Sequence, residues 1–88
     1  MIYADNAATT QLDMDAFEEM KPFLLQSYAN ASQPYFFSRD VRNALKDARQ
    51  QIAEIIGANE EEIIFTSCGT ESDNWAIKTG TCDRKHIV

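Results

Sequence analysis

The sequence contains little cysteine, proline, glycine or histidine. Its 88 residues include two cysteines, two prolines, three glycines and one histidine. Two cysteines are too few for the disulfide framework that stabilises small secreted domains, so Cys68 and Cys82 are expected to be free thiols in a reducing cytosol. No stretch is rich in proline, glycine or serine, which excludes a long flexible linker.

Long apolar runs and an excess of basic residues are also absent. No run approaches the roughly 20 apolar residues that a membrane-spanning helix needs, and the first residues lack the basic start and apolar core of an export signal. The net charge of −6 disfavours nucleic acid and anionic membranes as partners. We therefore expect a cytoplasmic protein with neither a nucleic-acid nor a membrane partner.

Residues 1–60 are predicted to form an extended arm followed by two helices. The arm covers residues 1–12, and Asp13 is placed to cap a first helix. Ser38 is placed to cap the second, and Gly57 to end it. The apolar positions recur at steps of three and four. They are Phe17, Met20, Leu24 and Tyr28 in the first helix, and Val41, Leu45, Ala48, Ile52 and Ile55 in the second.

Residues 61–88 are predicted to begin a βαβ unit of an α/β fold. Residues 63–65 are a continuous apolar run typical of a buried parallel strand, residues 71–78 have helical composition, and residues 86–88 resemble a second strand. Two parallel strands with one crossover helix cannot cover both faces of a sheet, so we expect the chain to be a truncated piece of a larger domain.

The turn before the last predicted helix is the best candidate for a ligand site. A helix N-terminus presents unpaired backbone N–H groups to an anion, Gly69 leaves room for a phosphate, and Thr70 adds a hydroxyl donor. A structural alternative is a capping box between Thr70 and Asp73. Cys68 lies in the same turn, either as a reactive thiol or as an incidental one. No metal site is expected, because His86 has no ligand pattern around it.

Two segments resemble the signatures of NifS/IscS-type cysteine desulfurases, which are class V aminotransferase proteins. Residues 3–10 read Tyr-Ala-Asp-Asn-Ala-Ala-Thr-Thr, and residues 65–74 read Phe-Thr-Ser-Cys-Gly-Thr-Glu-Ser-Asp-Asn. The resemblance spans essentially all of the chain and implies the amino-terminal segment of a fold-type-I pyridoxal-phosphate enzyme, normally a homodimer. Such enzymes convert L-cysteine to L-alanine and pass sulfur, as a cysteine persulfide, to an acceptor or scaffold protein for iron–sulfur cluster or thio-cofactor assembly.

By this resemblance, Gly69 and Thr70 bind the cofactor phosphate, and Asn6, Ala7 and Ala8 lie near the substrate. Cys68 replaces a usual glycine, which is expected to narrow the backbone freedom of the turn. The Schiff-base lysine and the persulfide cysteine of the family lie downstream of this segment, so none of its residues is expected to be catalytic and the chain alone is expected to be inactive. Three alternatives remain: another fold-type-I enzyme such as a selenocysteine lyase, a noncatalytic piece that acts in packing or dimerisation, and a generic phosphate-binding βαβ module.

Overall fold

The computed structural model describes residues 1–82, and this part of the chain is helical. Three α-helices follow one another in the order α1 (Met14–Leu25), α2 (Arg39–Ile56) and α3 (Gly69–Gly80). Two 3-10 helices, Phe36–Ser38 and Glu60–Glu62, precede α2 and α3. The chain divides into two units, Met1–Ala48 and Arg49–Val88. The functional division at residue 60 that the sequence suggests stays a prediction.

Helix α1 begins where the sequence predicts. Asp13 is its N-cap, and its Oδ1 accepts hydrogen bonds from the backbone N–H groups of Asp15 at 2.9 Å and Ala16 at 3.1 Å. These bonds satisfy two of the amides that a helix start leaves unpaired. The helix ends at Leu25, so Tyr28 lies beyond it, contrary to the predicted face. Tyr28 instead packs edge-on against Phe37, with ring centroids 5.7 Å apart.

The loop between α1 and α2 is organised by one buried hydroxyl. Ser38 is fully buried, and its Oγ lies 2.6 Å from the carbonyl oxygen of Gln33 and 2.7 Å from that of Tyr35. Arg42 donates from Nη1 to Ser38 Oγ at 2.7 Å and also to the Gln33 carbonyl. The prediction that Ser38 caps α2 is wrong, because Ser38 ends the preceding 3-10 helix and its hydroxyl bonds to carbonyl groups.

Helix α2 ends at a glycine, as predicted. Gly57 has φ +69°, the left-handed conformation that stops a helix, and the Ala58 N–H donates to the Ala53 carbonyl oxygen at 2.9 Å. This bond is typical of a Schellman motif. The acidic stretch Glu60–Glu62 that follows is a 3-10 helix, and the N–H of its N-cap, Asn59, donates to Glu62 Oε2 at 2.8 Å.

The predicted start of a βαβ unit is not confirmed. Residues 1–82 contain no assigned strand, and the predicted strand at residues 86–88 lies outside the described residues. Ile63 does have extended backbone, with φ −93° and ψ 119°. A strand also needs a hydrogen-bonded neighbour, and the described residues provide none. Ile64 and Phe65 are consequently 54% and 45% exposed, rather than buried as predicted.

Little apolar surface is buried in either unit. Ala53 is the one buried hydrophobic residue in the described part of the chain, and large side chains such as Phe36 and Ile55 are 83% exposed. In the first unit, Phe23, Val41, Ala44 and Leu45 line an open apolar groove of about 260 Å³. Among the described residues, no helix is long and apolar enough to span a membrane.

Gly57 and Gly80 allow a matched test of what ends α2. A Cβ at either position would meet no atom within 4 Å, so the two sites differ in backbone conformation and not in space. We expect Gly57→Ala to lower the free energy of unfolding by about 1–2 kcal/mol, the cost of a left-handed conformation for a residue with a Cβ. Gly80→Ala, in α3, should leave it unchanged or raise it by up to ~1 kcal/mol. Urea titrations followed by circular dichroism measure both, and equal effects would contradict this explanation.

Candidate functional site

The candidate site is the turn that leads into α3, and the helix starts two residues earlier than the sequence suggests. Cys68 is the N-cap, in an extended conformation with φ −168° and ψ 171°. The first intrahelical bond runs from the Ser72 N–H to the Cys68 carbonyl oxygen at 3.2 Å. The amides of Gly69, Thr70 and Glu71 therefore precede the hydrogen-bonded ladder, at the positive end of the helix dipole.

A glutamate closes this turn from the first turn of the helix. Glu71 Oε2 accepts from the backbone N–H of Ser67 at 2.8 Å and from the Ser67 hydroxyl at 2.6 Å. The hydroxyl, and then the amide, lower the pKa of the Glu71 carboxyl below its ordinary value, because both donors favour the charged form. The predicted capping box between Thr70 and Asp73 is wrong, because Thr70 already lies inside α3 and the acid that reaches back is Glu71.

A second pair of side chains joins the same two parts of the turn. The hydroxyls of Thr66 and Ser72 lie 2.5 Å apart, and either one can be the donor. Each also lies within reach of the Cys68 carbonyl oxygen, at 3.2 Å from Thr66 and 3.3 Å from Ser72. Thr66 and Ser67, which precede the cap, are thus hydrogen-bonded to Ser72 and Glu71 in the first turn of the helix.

Gly69 leaves open space at the start of the helix. A Cβ added to it would meet no atom within 4 Å, and its backbone is not left-handed. Neither backbone conformation nor crowding by the described residues requires a glycine at this position. Cys68 does not strain the turn, because its extended backbone conformation is open to any residue, and the expected narrowing of backbone freedom stays a prediction.

The donors at this turn fit a phosphate group. Backbone N–H groups at a helix N-terminus, together with a hydroxyl such as that of Thr70, are the chemistry by which proteins hold phosphate oxygens. The nearby carboxylate of Glu71 is already bonded to Ser67, and in residues 1–82 no hydrogen bond joins it to the amides of Gly69 or Thr70. The turn thus carries donors of the kind that hold phosphate oxygens.

The Cys68 thiol is exposed at this turn, and hydrogen-bond donors around it lower its pKa. The Glu71 N–H lowers the pKa of Cys68 most, followed by the Ser67 hydroxyl, and smaller contributions come from Thr70. Ser67 Oγ lies 3.7 Å from Cys68 Sγ but 2.6 Å from Glu71 Oε2. Because the hydroxyl has one proton, it serves the carboxylate first, and the Glu71 amide remains the main stabiliser of the thiolate.

Asn6, Ala7 and Ala8 lie in the first unit, whereas Gly69 and Thr70 lie in the second. The three form a tight, exposed turn in which the Ala8 N–H donates to the Asp5 carbonyl oxygen at 3.1 Å. This turn shows that residues 1–12 are not extended throughout, so the prediction of a fully extended arm is wrong. The proximity of Asn6, Ala7 and Ala8 to a substrate stays a prediction, and so does the cofactor role of Gly69 and Thr70. His86 lies outside the described residues.

A family model described as "Aminotransferase class-V" matches residues 2–87. The chain belongs to the class-V aminotransferase family. It is 52% identical over 77 residues to a cysteine desulfurase IscS of Dictyoglomus turgidum, covering 88% of this chain and 20% of that protein. It is 43% identical over 91 residues to a cysteine desulfurase of Nostoc, and the match covers 100% of this chain and 23% of that protein. The resemblance to cysteine desulfurases is therefore confirmed.

A solved structure of a NifS-like protein is similar in fold, with a TM-score of 0.81 and 35% identity over 93% of this chain and 23% of that one. This similarity supports the fold-type-I architecture as the parent fold, although the βαβ start stays unconfirmed. The chain spans about a fifth of the length of the curated relatives that it matches.

Sequence reasoning located this turn but missed the pair that organises it. Ser67 and Glu71 are four residues apart, and Glu71 is the third residue of α3 once Cys68 is recognised as the cap. An acid at that position, reaching back toward the residues before the helix, was the available signal. The competing spacing from Thr70 to Asp73 has the same form, and sequence alone does not separate the two.

The environment of Cys68 predicts its reactivity toward an alkylating agent. In a Cys82→Ala chain, Cys68 is the single thiol, and its lowered pKa should shift the pH profile of iodoacetamide alkylation to lower pH than in the same chain unfolded by urea. Ser67→Ala should move the folded profile only slightly upward, because the Glu71 amide remains. Coincident profiles for the folded and unfolded chains would contradict this account of the turn.

Proposed function

We propose that this chain is the segment of a pyridoxal-phosphate-dependent cysteine desulfurase that holds the phosphate end of the cofactor. The observation that carries the proposal is the α3 turn, where the amides of Gly69 and Thr70 precede the first helical hydrogen bond, in a chain of the class-V aminotransferase family. The substrate would be L-cysteine, the products L-alanine and a sulfur atom carried as a persulfide on an enzyme cysteine elsewhere in the protein.

Within this proposal, the chain's own residues bind and orient. The Gly69 and Thr70 amides and the Thr70 hydroxyl would donate to phosphate oxygens, and the positive end of the α3 dipole would favour the phosphate charge. The cofactor, when bound, supplies the electron sink for carbanion chemistry on an amino acid. The turn of Asn6, Ala7 and Ala8 would border the substrate with small side chains that leave room for it.

The remaining parts of the proposal extend to the whole protein. We expect the whole protein to be a cytoplasmic homodimer that passes sulfur to an acceptor or scaffold protein for iron–sulfur or thio-cofactor assembly, and relatives named cysteine desulfurases support the activity alone. We expect no activity from the chain alone, because the residues that bind the cofactor covalently and carry sulfur in the family have no counterpart in it.

Phosphate recognition is testable on the chain itself with pyridoxine phosphate and pyridoxine, which differ only in the phosphate and carry no aldehyde to modify lysines. In NMR titrations, we expect pyridoxine phosphate to shift the Gly69 and Thr70 amide resonances and pyridoxine to leave them in place. Thr70→Ala should weaken binding about two- to ten-fold, the worth of one hydrogen bond, whereas Thr70→Ser keeps the hydroxyl and should bind like the natural chain. Equal responses to both compounds would contradict the cofactor role.

Activity is testable by replacing the matched segment of the Dictyoglomus turgidum relative with this chain. We expect the chimera to keep the absorption of bound pyridoxal phosphate and to form L-alanine from L-cysteine, while the 88-residue chain alone forms none. The unaltered relative is the positive control. A chimera that folds and binds the cofactor but forms no alanine would count against a desulfurase segment and favour another fold-type-I reaction.

A further inference from the structure

We propose that Ser67 and Glu71 are positioning residues for the cofactor phosphate: Ser67 engages the Glu71 carboxylate, so that the amides of Gly69 and Thr70 stay available to the phosphate. The inference rests on the proposed function of this turn. It adds two residues that the family resemblance did not assign, and it explains how an acid can sit two residues after Gly69 without excluding an anion.

An acid in the first turn of a helix normally competes with an anionic ligand. A carboxylate is itself stabilised by the amides and dipole at a helix N-terminus, so Glu71 could occupy the place that a phosphate needs. Here one carboxylate oxygen takes both hydrogen bonds from Ser67, at 2.8 Å from the amide and 2.6 Å from the hydroxyl. Charge-assisted bonds of this length are among the stronger ones that side chains form.

The same two bonds fasten the backbone of the turn. Ser67 precedes the N-cap and Glu71 is the third residue of α3, so their contact closes a loop around Cys68 and Gly69. The Thr66–Ser72 hydroxyl pair, 2.5 Å apart, closes a second and wider loop around the same residues. Amides fixed in direction lose less entropy when a phosphate binds them, which is the usual benefit of preorganisation.

Electrostatic repulsion alone and the positioning role predict different effects of one substitution on phosphate binding. Ser67→Ala leaves the net charge unchanged, so simple repulsion predicts no effect on phosphate binding. Under the positioning role, the Glu71 carboxylate keeps only the bond from the Ser67 backbone N–H, turns more readily toward the Gly69 and Thr70 amides, and phosphate binding weakens. Removing the carboxylate as well, in Ser67→Ala with Glu71→Gln, should then restore affinity, which makes the two sites non-additive in a double-mutant cycle.

The experiment is an NMR titration of the isotopically labelled 88-residue chain with inorganic phosphate at constant ionic strength, read at the Gly69 and Thr70 amides. We expect Ser67→Ala to bind phosphate about two- to five-fold more weakly, the scale of one charge interaction at a helix terminus. Ser67→Thr keeps the hydroxyl and should bind like the natural chain. Asp73→Asn removes a charge from α3 and serves as the matched control, and it should not weaken binding.

A ligand-free measurement accompanies the titration. The carbon-detected titration of the Glu71 carboxyl should show its pKa rising toward the ordinary value in Ser67→Ala, because the largest cause of its lowering is gone. Unchanged amide resonances outside the turn establish that each variant folds alike.

Two results would overturn the positioning role while leaving the proposed function intact. One is a Ser67→Ala chain that binds phosphate as tightly as the natural chain, and the other is weakened binding that the added Glu71→Gln substitution does not restore. No response at Gly69 and Thr70 in the natural chain overturns both.

Discussion

The described part of the chain depends on hydrogen bonds to backbone N–H groups at, or just before, the starts of its helices. Buried apolar area contributes little, since Ala53 is the one buried hydrophobic residue in residues 1–82. Acidic side chains do this work at three places: Asp13 accepts two amides at the start of α1, Glu62 accepts the amide of Asn59, and Glu71 accepts that of Ser67. Part of the chain's excess of acids is thereby explained by local hydrogen bonding and not by a partner.

The bond between Ser67 and Glu71 differs from the other two because it lies beside the candidate phosphate site. Glu71 bonds to the residue before the cap, and Cys68 has no side-chain capping bond of its own. Among the described residues, no hydrogen bond engages the amides of Gly69 and Thr70, and a Cβ added at Gly69 would meet no atom within 4 Å. Phosphate binding at a helix start requires backbone N–H groups that point toward the ligand and are not used by other hydrogen bonds.

The exposed apolar side chains fit a chain that spans about a fifth of its relatives' length. The extended residues after Glu62 have the composition of a buried strand and yet carry Ile64 and Phe65 at about half exposure. The guanidinium of Arg49, 5.4 Å from the Phe65 ring centroid, covers part of this surface. The strand predicted for residues 63–65 stays unconfirmed, because the described residues hold no neighbouring strand for it.

The sequence by itself determined the features that depend on neighbours within a few residues. Asp13 as a cap, Gly57 as a stop and the position of the turn around Gly69 follow from side-chain chemistry and backbone sterics over one helical turn, and the two signature segments were enough to identify the family. Where two local patterns compete, as for Ser38 or for Thr70 and Glu71, the sequence does not choose. The structure shows that Ser38 bonds to Gln33, Tyr35 and Arg42, and that Glu71 bonds to Ser67, which are contacts within five residues that the sequence pattern does not single out. Tertiary structure also decides whether residues 63–65 form a strand, because a strand needs a hydrogen-bonded neighbour that is distant in sequence. The described residues provide no such neighbour, and no strand is assigned there.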